Sequence, residues 1–299
     1  MNWDDVRIFL NVARSGQILG AARALGLNHA TVSRRLSALE QSMQAKLFLR
    51  RTSGCDLTAE GETFLSAAER MEAEMLEAQA RIGHVDAALA GTVRIGAPDG
   101  FGISFLAPRL GALTARHPAL KIQLVPVPRS FSLSRREADI AITVERPEQG
   151  RVVARKLVDY SLGLYACRSY LDQAGEPADL AALSTHRLIG YVEDLVFSPS
   201  LNFSDDLQVR FDARFEISSA VGQLEAVRSG AGIGILHDFA ARGDATLKRL
   251  FPDKTIDRAY WLVFHESVRD MTRIRIVADF ISDLVTREKS IFRWPSVVG

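Results

Sequence analysis

The sequence predicts three parts in order: a winged helix-turn-helix head that is all-α apart from a small β wing (residues 1–57), a long coiled-coil linker helix (58–90), and an α/β domain (91–299). Three observations predict this order. Short helical patterns near the N-terminus are joined by glycine turns, a regular apolar spacing follows them, and after Gly91 strand patterns alternate with helical ones. A chain of 299 residues that is 47% hydrophobic can bury more than one core.

Two apolar stripes at helical spacing predict the first two helices of the head. The first stripe consists of Val6, Phe9, Leu10 and Ala13, and the second consists of Ile18, Ala21, Ala22 and Leu25. A glycine ends each of these helices, Gly16 the first and Gly26 the second. Asn28 is a suitable N-cap for a third helix, which extends to Leu39. Two short helices joined by a tight glycine turn are what a helix-turn-helix requires.

The outward face of the third helix carries side chains suited to DNA. Its first two turns hold His29, Ala30, Thr31, Ser33, Arg34 and Arg35. Arginine binds guanine or phosphate, threonine and alanine contact the thymine methyl group, and serine binds phosphate. An ordinary polar helix face has a similar composition, so this segment alone leaves both interpretations open. Arg50 and Arg51 stand in a predicted strand, tight turn and strand, which form the wing.

The distribution of charge along the chain favours a polyanionic partner for the head alone. Residues 1–57 hold eight arginines or lysines against four acidic residues, a net charge of +4. Residues 58–90 hold two basic residues against seven acidic ones, a net charge of −5, and the remainder of the chain carries +2. This asymmetry indicates that only the head meets the nucleic acid. A merely solvated basic surface is the alternative.

The second part of the chain shows apolar positions whose spacing alternates between four and three residues. These positions are Leu57, Gly61, Phe64, Ala68, Met71, Met75, Ala78, Ile82, Val85 and Leu89. Such a seam is typical of a coiled coil, whereas a helix packed on its own domain more often shows a broader stripe of period 3.6. We expect a helix from the N-cap Thr58 to about Ala90 that dimerises through the seam from Phe64 to Leu89. Intradomain packing is the alternative.

The third part alternates strands with helices. The predicted strands cover residues 92–96, 121–127, 139–144, 160–166, 187–191, 214–217, 232–236 and 259–265, and the predicted helices cover 104–116, 221–229 and 272–287. This alternation predicts an α/β architecture with mostly parallel sheets. A region of about two hundred residues is large enough for two lobes.

Several function classes find no support in the sequence. The N-terminus does not resemble a secretory signal, and no apolar stretch approaches the roughly 20 residues that span a bilayer. Cys55 and Cys167 stand far apart without metal-ligand spacing, which is typical of a reducing cytoplasm. The glycine run from Gly230 to Gly234 precedes a strand instead of joining a strand to a helix, so it predicts no dinucleotide site. We therefore expect a cytoplasmic protein that is not an enzyme and has no cofactor, metal site or membrane partner.

Four blocks of residues resemble the LysR-type transcriptional regulators of bacteria. They are Ala21-Ala22-x-x-Leu25, Val32-Ser33-Arg34-Arg35-Leu36-x-x-Leu39-Glu40, Leu47-Phe48-x-Arg50 and Leu57-Thr58-x-x-Gly61, in that order and register. In the third part, Glu225-Ala226-Val227-x-x-Gly230-x-Gly232-Ile233-Gly234 matches the family as well. Three positions depart from the pattern: Gln17 replaces a better helix cap, Gln44 stands where glycine is usual, and His29 stands where glutamine is frequent.

The resemblance implies a regulator that binds partly palindromic DNA as a dimer or tetramer and responds to a small molecule between two lobes. The lobed domain would be similar to periplasmic binding proteins, with lobe I at about 91–160 and 266–299 and lobe II at about 161–265. The third helix would enter the major groove, with Asn28 at its start and base contacts from His29, Ala30, Thr31, Arg34 and Arg35. Phosphate contacts would come from Ser33, Arg50 and Arg51. An activator would also contact RNA polymerase, and a solute-binding protein without regulatory role is the alternative function.

The position of the effector site follows from topology, because ligands of open α/β sheets bind beyond the carboxyl ends of strands and at helix N-termini. The residues at such positions are Asp99, Gly100, Phe101, Gly102, Ser104, Arg129, Ser130, Thr143, Ser218 and Ser219. Asp99 either makes a simple carboxylate ligand less favourable or caps its own helix. Phe101 is either a pocket wall or core, and Arg129 either binds an anion or is solvated.

Overall fold

The computed structural model describes residues 2–51, 54–82, 89–127, 138–147, 151–196, 198–201, 203–207 and 212–295. The head contains helices α1 (Trp3–Ser15), α2 (Ile18–Leu25) and α3 (His29–Ser42). Gly16 and Gly26 end α1 and α2 in the left-handed conformation, each with φ of 65°. The three predicted helices of the head are therefore confirmed.

The wing follows α3 as strands β1 (Phe48–Arg51) and β2 (Gly54–Leu57), which pair in antiparallel register. Gln44 precedes the wing with φ of +50°, a conformation that glycine adopts without strain. Glycine is the residue that the resemblance leads us to expect at this position, and it would adopt this φ without strain. At the start of α2, the side chain of Gln17 makes no capping hydrogen bond, so the cap of α2 is weak.

Helix α4 (Ala59–Ile82) packs its first half against the head. Phe64 and Ala68 are buried in the core of the head, and the Phe64 ring lies 4.8 Å from that of Phe9 in α1. Leu65 is buried beside them, although it stands outside the heptad seam. The first half of α4 therefore follows the alternative prediction, in which a broader apolar stripe packs on the helix's own domain. The prediction that Phe64 and Ala68 form a dimer seam is wrong, because the head of the same chain already covers them.

The remaining residues of the predicted seam do not share one environment. Met71 and Met75 remain exposed, at 39% and 43% of their surface. Ala78 and Ile82 belong to α4, but their side chains, like all of Val85, lie outside the described residues. Leu89 is buried just before the α/β domain and outside α4, so its assignment to the dimer seam is also wrong.

The α/β domain begins at Gly91. Its strands are β3 (Gly91–Ala97), β4 (Leu120–Pro126), β5 (Ile140–Thr143), β6 (Val152–Cys167), β7 (Leu188–Gly190), β8 (Phe215–Glu216), β9 (Ile233–His237), β10 (Leu247–Leu250) and β11 (Ile256–His265). Its α-helices are α5 (Asp99–Phe101), α6 (Ala107–Arg116), α7 (Arg168–Ala174), α8 (Phe203–Leu207), α9 (Ala220–Arg228), α10 (Asp238–Ala241) and α11 (Thr272–Arg287). A π-helical segment, Gly102–Leu106, joins α5 to α6. Short 3-10 helices lie at Ala181–Thr185, Glu193–Leu195, Pro199–Leu201, Glu266–Val268 and Lys289–Ile291.

Nine described strands form one mixed sheet in the order β4-β3-β5-β11-β6-β9-β7-β8, with β10 also paired to β6. The prediction of mostly parallel sheets is wrong, because the two long strands β6 and β11 are antiparallel to each other and to their other partners. These strands run through both lobes. Residues Trp261–Phe264 of β11 pair with β5, so the chain re-enters lobe I at the bulge after Tyr260, before the expected boundary at residue 265.

The helix after β3 begins at Asp99, earlier than the predicted start at Ser104, because Pro98 stands at the N-cap position and the π-helical segment continues the helix into α6. The last helix, α11, has the predicted bounds. Among the described residues, no helix is long and apolar enough to cross a membrane.

A substitution at Gly61 tests the close contact between α4 and the chain that leads into the wing. A Cβ atom at Gly61 would lie 2.1 Å from the carbonyl oxygen of Leu47, so Gly61→Ala must displace backbone. We expect a loss of about 1–3 kcal/mol in the free energy of unfolding, measured by urea titration with circular dichroism. Gly111→Ala is the matched control, because a Cβ there meets nothing within 4 Å and alanine stabilises a helix by roughly 0.5–1 kcal/mol relative to glycine. Equal effects of the two variants would contradict this account.

Candidate nucleic-acid interface and ligand cleft

The N-terminal turns of α3 present an ordered outer surface. The Asn28 side chain accepts a hydrogen bond of 2.7 Å from the Thr31 amide, which caps the helix as predicted. His29, Ala30 and Arg34 are exposed, opposite the buried stripe that packs α3 on the head. Arg34 makes no ion pair with any residue that the structure describes. This surface is therefore free to meet a partner.

Arg35 does not belong to that free surface. Its guanidinium lies 2.8 Å from Asp5 Oδ1 and donates a hydrogen bond of 3.1 Å to Asn2 Oδ1. It thus clamps α3 to the start of α1. A base contact from Arg35 would have to replace this ion pair with Asp5, so that contact stays a prediction. The acidic pair at the start of the chain, Asp4 and Asp5, was the sequence signal for such a partner.

A buried carboxylate, Glu40, connects α3 to the wing. Only 3% exposed, it accepts hydrogen bonds from the backbone amides of Leu47 (2.9 Å) and Phe48 (3.2 Å). The residue belongs to the family pattern, but the sequence reasoning gave it no role. Because a buried carboxylate is costly without donors, these bonds fix the first residues of β1 against the end of α3.

The wing arginines lie next to α3 and on the wing itself. Arg50 donates hydrogen bonds to Ser33 Oγ (3.3 Å) and Ser37 Oγ (3.0 Å) on α3. Arg51 is exposed and lies 3.5 Å from Asp56 across the two strands. Arg50 thus brings a positive charge beside the Ser33 position of α3. Of the side chains predicted for phosphate, Ser33 and Arg50 are in contact, and Arg51 lies beside Asp56 on the wing.

Asp99 links the two lobes of the α/β domain. Its carboxylate is 4% exposed, and Oδ2 accepts hydrogen bonds from Ser219 Oγ (2.6 Å) and the Val221 amide (3.3 Å). Ser219 in turn caps α9 by accepting from the Gly222 amide. Asp99 therefore lies at the N-terminus of α9 in lobe II, although its own backbone starts α5 in lobe I.

A second link between the lobes lies at Glu145. Its carboxylate accepts hydrogen bonds from the Ser198 hydroxyl and, at 3.3 Å, from the Ser200 amide. The hydrogen bond from Ser198 holds the pKa of Glu145 below its usual range. Thr143 donates to the carbonyl of Glu145 and so orders the end of β5, but it does not itself line the cleft.

The space left between the lobes is a cavity of about 20 Å³, room for roughly one water molecule. Its lining includes Asp99, Gly100, Tyr191, Phe203, His237 and Tyr260. Asp99 and Gly100 thus stand where topology predicted them, and Ser219 lies one hydrogen bond away from Asp99. The rule that ligands bind beyond strand ends predicted where the cleft lies, but it did not predict that the cleft is nearly filled.

Other predicted effector residues lie elsewhere. Phe101 is fully buried in an aromatic core, with its ring 4.7 Å from that of Tyr260, and Gly102 packs against Pro126. Both assignments are wrong, because these positions face the sheet. Ser104 and Ser218 are half-buried and do not line the cavity. Arg129 and Ser130 lie outside the described residues.

Three aromatic side chains that the sequence reasoning missed form a stack beside the cleft. The Tyr160 ring lies 4.0 Å from that of Tyr260 and 5.4 Å from that of His237. Burial raises the pKa values of both tyrosines and lowers the pKa of His237 to about 4, so the imidazole is neutral at pH 7. Aromatic residues in strands predict core, and only the pairing of β6 with β9 and β11 brings these three together.

Comparison with known proteins covers both halves of the chain. The family described as "LysR substrate binding domain" matches residues 86–285, and "Bacterial regulatory helix-turn-helix protein, lysR family" matches residues 3–62. The transcriptional regulator CrgA of Neisseria meningitidis serogroup C is 27% identical over 290 residues, 94% of this chain and 96% of that protein. An HTH-type transcriptional regulator of Xanthomonas campestris is 32% identical over 186 residues, 62% of this chain and 54% of its own.

Solved structures of full-length regulators share the fold. The structure of CrgA from Neisseria meningitidis matches with a TM-score of 0.59 and 25% identity, over 95% of this chain and 99% of that one. The full-length regulator LysG of Corynebacterium glutamicum, with the bound effector Arg, matches with a TM-score of 0.67 and 21% identity, over 96% of this chain and 99% of that one. At that identity the second likeness shows the fold alone.

The buried imidazole of His237 predicts a dependence of stability on pH. The folded protein keeps His237 neutral down to about pH 4, whereas the unfolded chain takes up a proton near pH 6.5. Between these values the unfolded state binds more protons, so the free energy of unfolding falls with decreasing pH by up to about 1.4 kcal/mol per pH unit. His237→Phe keeps a ring in the stack and should remove this part of the slope in urea titrations from pH 7 to 5. An unchanged slope in His237→Phe would contradict the assignment.

Proposed function

Because the chain belongs to the LysR family of bacterial transcriptional regulators, we propose that it reads a partly palindromic operator with the outer surface of α3 and alters that binding when a small molecule enters the cleft between its lobes. The chain is a DNA-binding regulator with an effector-binding domain, and not an enzyme. The match of residues 3–62 to the DNA-binding head sets aside a solute-binding protein without regulatory role.

The free N-terminal surface of α3 carries this proposal. Exposed His29, Ala30 and Arg34 stand on a capped helix whose opposite side is buried, and Arg34 has no ion pair among the described residues. Thr31 is half-buried beside them and completes the proposed base contacts. A guanidinium without a protein partner at this position suits a guanine edge in the major groove.

The phosphate contacts are proposed from the flank of the same surface. Asn28 stands at the helix start, where backbone amides favour an anion, and Ser33 with Arg50 lies beside the wing. Arg51 extends the positive charge along β1. Such contacts fix the register of the head on the duplex without reading sequence.

Pairing of two chains is proposed through the second half of α4. Met71 and Met75 are exposed apolar side chains one helical turn apart, on a helix that leaves the core of the head. Two heads joined in this way match the two halves of a palindromic site. Further pairing to a tetramer, and contact with RNA polymerase in the case of activation, extend the same proposal.

The roles of neighbouring arginines on α3 are tested by a matched pair of variants. Arg34→Ala should weaken binding to a DNA fragment selected by the wild-type protein by about tenfold or more, with unchanged thermal stability, because a base contact is worth about 1–3 kcal/mol. Arg35→Ala should instead lower the melting temperature, because it breaks the clamp to Asp5. Fluorescence anisotropy at one fixed salt concentration measures the affinity. Wild-type affinity in Arg34→Ala would remove that residue from the interface.

The proposed dimer is tested by a charge placed on its apolar surface. Met75→Asp should convert the dimer into a monomer in multi-angle light scattering, because a buried carboxylate without a partner opposes association. Arg70→Asp introduces the same side chain at an exposed position of α4 outside the seam and should leave the mass unchanged. A dimer that persists in Met75→Asp, or a monomeric wild type, would argue against pairing through α4.

A further inference from the structure

We infer that the cleft between the lobes binds a small organic cation, with the carboxylate of Asp99 as its counter-charge. This inference rests on the proposed regulator function and names the chemical class of the effector.

The carboxylate of Asp99 already fills the anion position at the N-terminus of α9. It takes the Ser219 hydroxyl at 2.6 Å and the Val221 amide at 3.3 Å, the two donors that a ligand carboxylate at this helix end would need. A second carboxylate placed there would meet a like charge at a buried position. The cleft therefore disfavours an anionic ligand.

No lysine or arginine is among the described residues that line the cavity. The near cation is Arg258, whose guanidinium lies 5.7 Å from the centre of the Phe203 ring, but it donates to the Ser200 carbonyl and the Asp206 carboxylate. His237, the other basic group at the cavity, is neutral at pH 7. The charge of Asp99 is thus balanced by neutral donors only, and a cation in the cleft would be stabilised by it.

The rest of the lining supplies aromatic rings and hydrogen-bond acceptors. Tyr260 lines the cavity, and its hydroxyl, like that of the stacked Tyr160, is fully buried. Apart from the interaction of these two hydroxyls with each other, neither finds a hydrogen-bond partner of normal geometry in the part of the chain that the structure describes. An ammonium group has three donors and no acceptor, so it needs a carboxylate together with neutral oxygens. Aromatic rings beside a carboxylate are the usual surroundings of a bound organic ammonium ion.

The closed cleft of about 20 Å³ must open before such a ligand enters. The hydrogen bond from Ser219 to Oδ2 of Asp99 crosses between the lobes, so a cation that takes this oxygen competes with Ser219 for it. In this arrangement one carboxylate holds the lobes together in the free protein and holds the ligand in the open one. Ligand binding and lobe separation are then coupled.

Three probes that share a phenethyl group test the charge preference in the full-length protein. They are phenethylammonium, 2-phenylethanol and 3-phenylpropionate, and isothermal titration calorimetry measures their dissociation constants. We expect phenethylammonium to bind about tenfold or more tightly than 3-phenylpropionate, with 2-phenylethanol between them, because tenfold corresponds to one charge-assisted hydrogen bond. Equal or tighter binding of 3-phenylpropionate would overturn the inference, as would the absence of binding by phenethylammonium at millimolar concentration.

Two variants assign the preference to Asp99. Asp99→Asn removes the charge at nearly constant shape and should reduce the preference for phenethylammonium to within about twofold. Ser219→Ala frees the carboxylate from its competitor and should tighten phenethylammonium several-fold, which tests the inference independently if Asp99→Asn does not fold. Asp279→Asn, an equal change of charge at an exposed site on α11, is the control and should behave as the wild type.

Failure of this inference is distinguishable from failure of the proposed function. Selective binding of sequence-specific DNA by a protein that prefers 3-phenylpropionate would leave the regulator in place and overturn only the ligand class. A preference for phenethylammonium that Asp99→Asn retains would overturn the assignment to this carboxylate.

Discussion

The buried carboxylate of Asp99 sets the relation between the two lobes on which the rest of the sensing domain depends. The strands β6 and β11 run through both lobes, so the lobes cannot separate freely and can only change their angle. The bond from Ser219 to Asp99 and the bond from Ser198 to Glu145 fix that angle in the closed form. Because both bonds lie across the cleft, a molecule that takes either carboxylate acts directly on the geometry of the domain.

In the head, local sequence signals were sufficient to predict the helices, but they did not predict the contacts between residues that are distant in sequence. The apolar stripes, Gly16, Gly26 and the cap at Asn28 predicted α1, α2 and α3, because they act within one or two turns of chain. The roles of Arg35 and Glu40 depend on partners that are distant in sequence, Asp5 in one case and the amides of Leu47 and Phe48 in the other. A strict heptad likewise did not reveal that the head itself covers Phe64 and Ala68.

In the α/β domain, the rule that ligands bind beyond strand ends placed Asp99 and Gly100 at the cleft. It did not separate them from Phe101 and Gly102, which follow directly in the chain but face the sheet. Three different strands contribute the stacked residues Tyr160, Tyr260 and His237. Each of them, considered alone, would be predicted to be a core residue. They lie beside Asp99 because of the order of the strands in the sheet, which the hydrophobic periodicity of the sequence does not reveal.

We propose that two heads, joined through α4, read a site with two-fold symmetry. Selection of random DNA fragments by the full-length protein, followed by sequencing, tests it most directly. We predict an enriched motif with dyad symmetry whose half-sites are separated by about one helical turn of DNA or a multiple of it. Recovery of fragments with no common motif, or of a motif without dyad symmetry, would contradict the account.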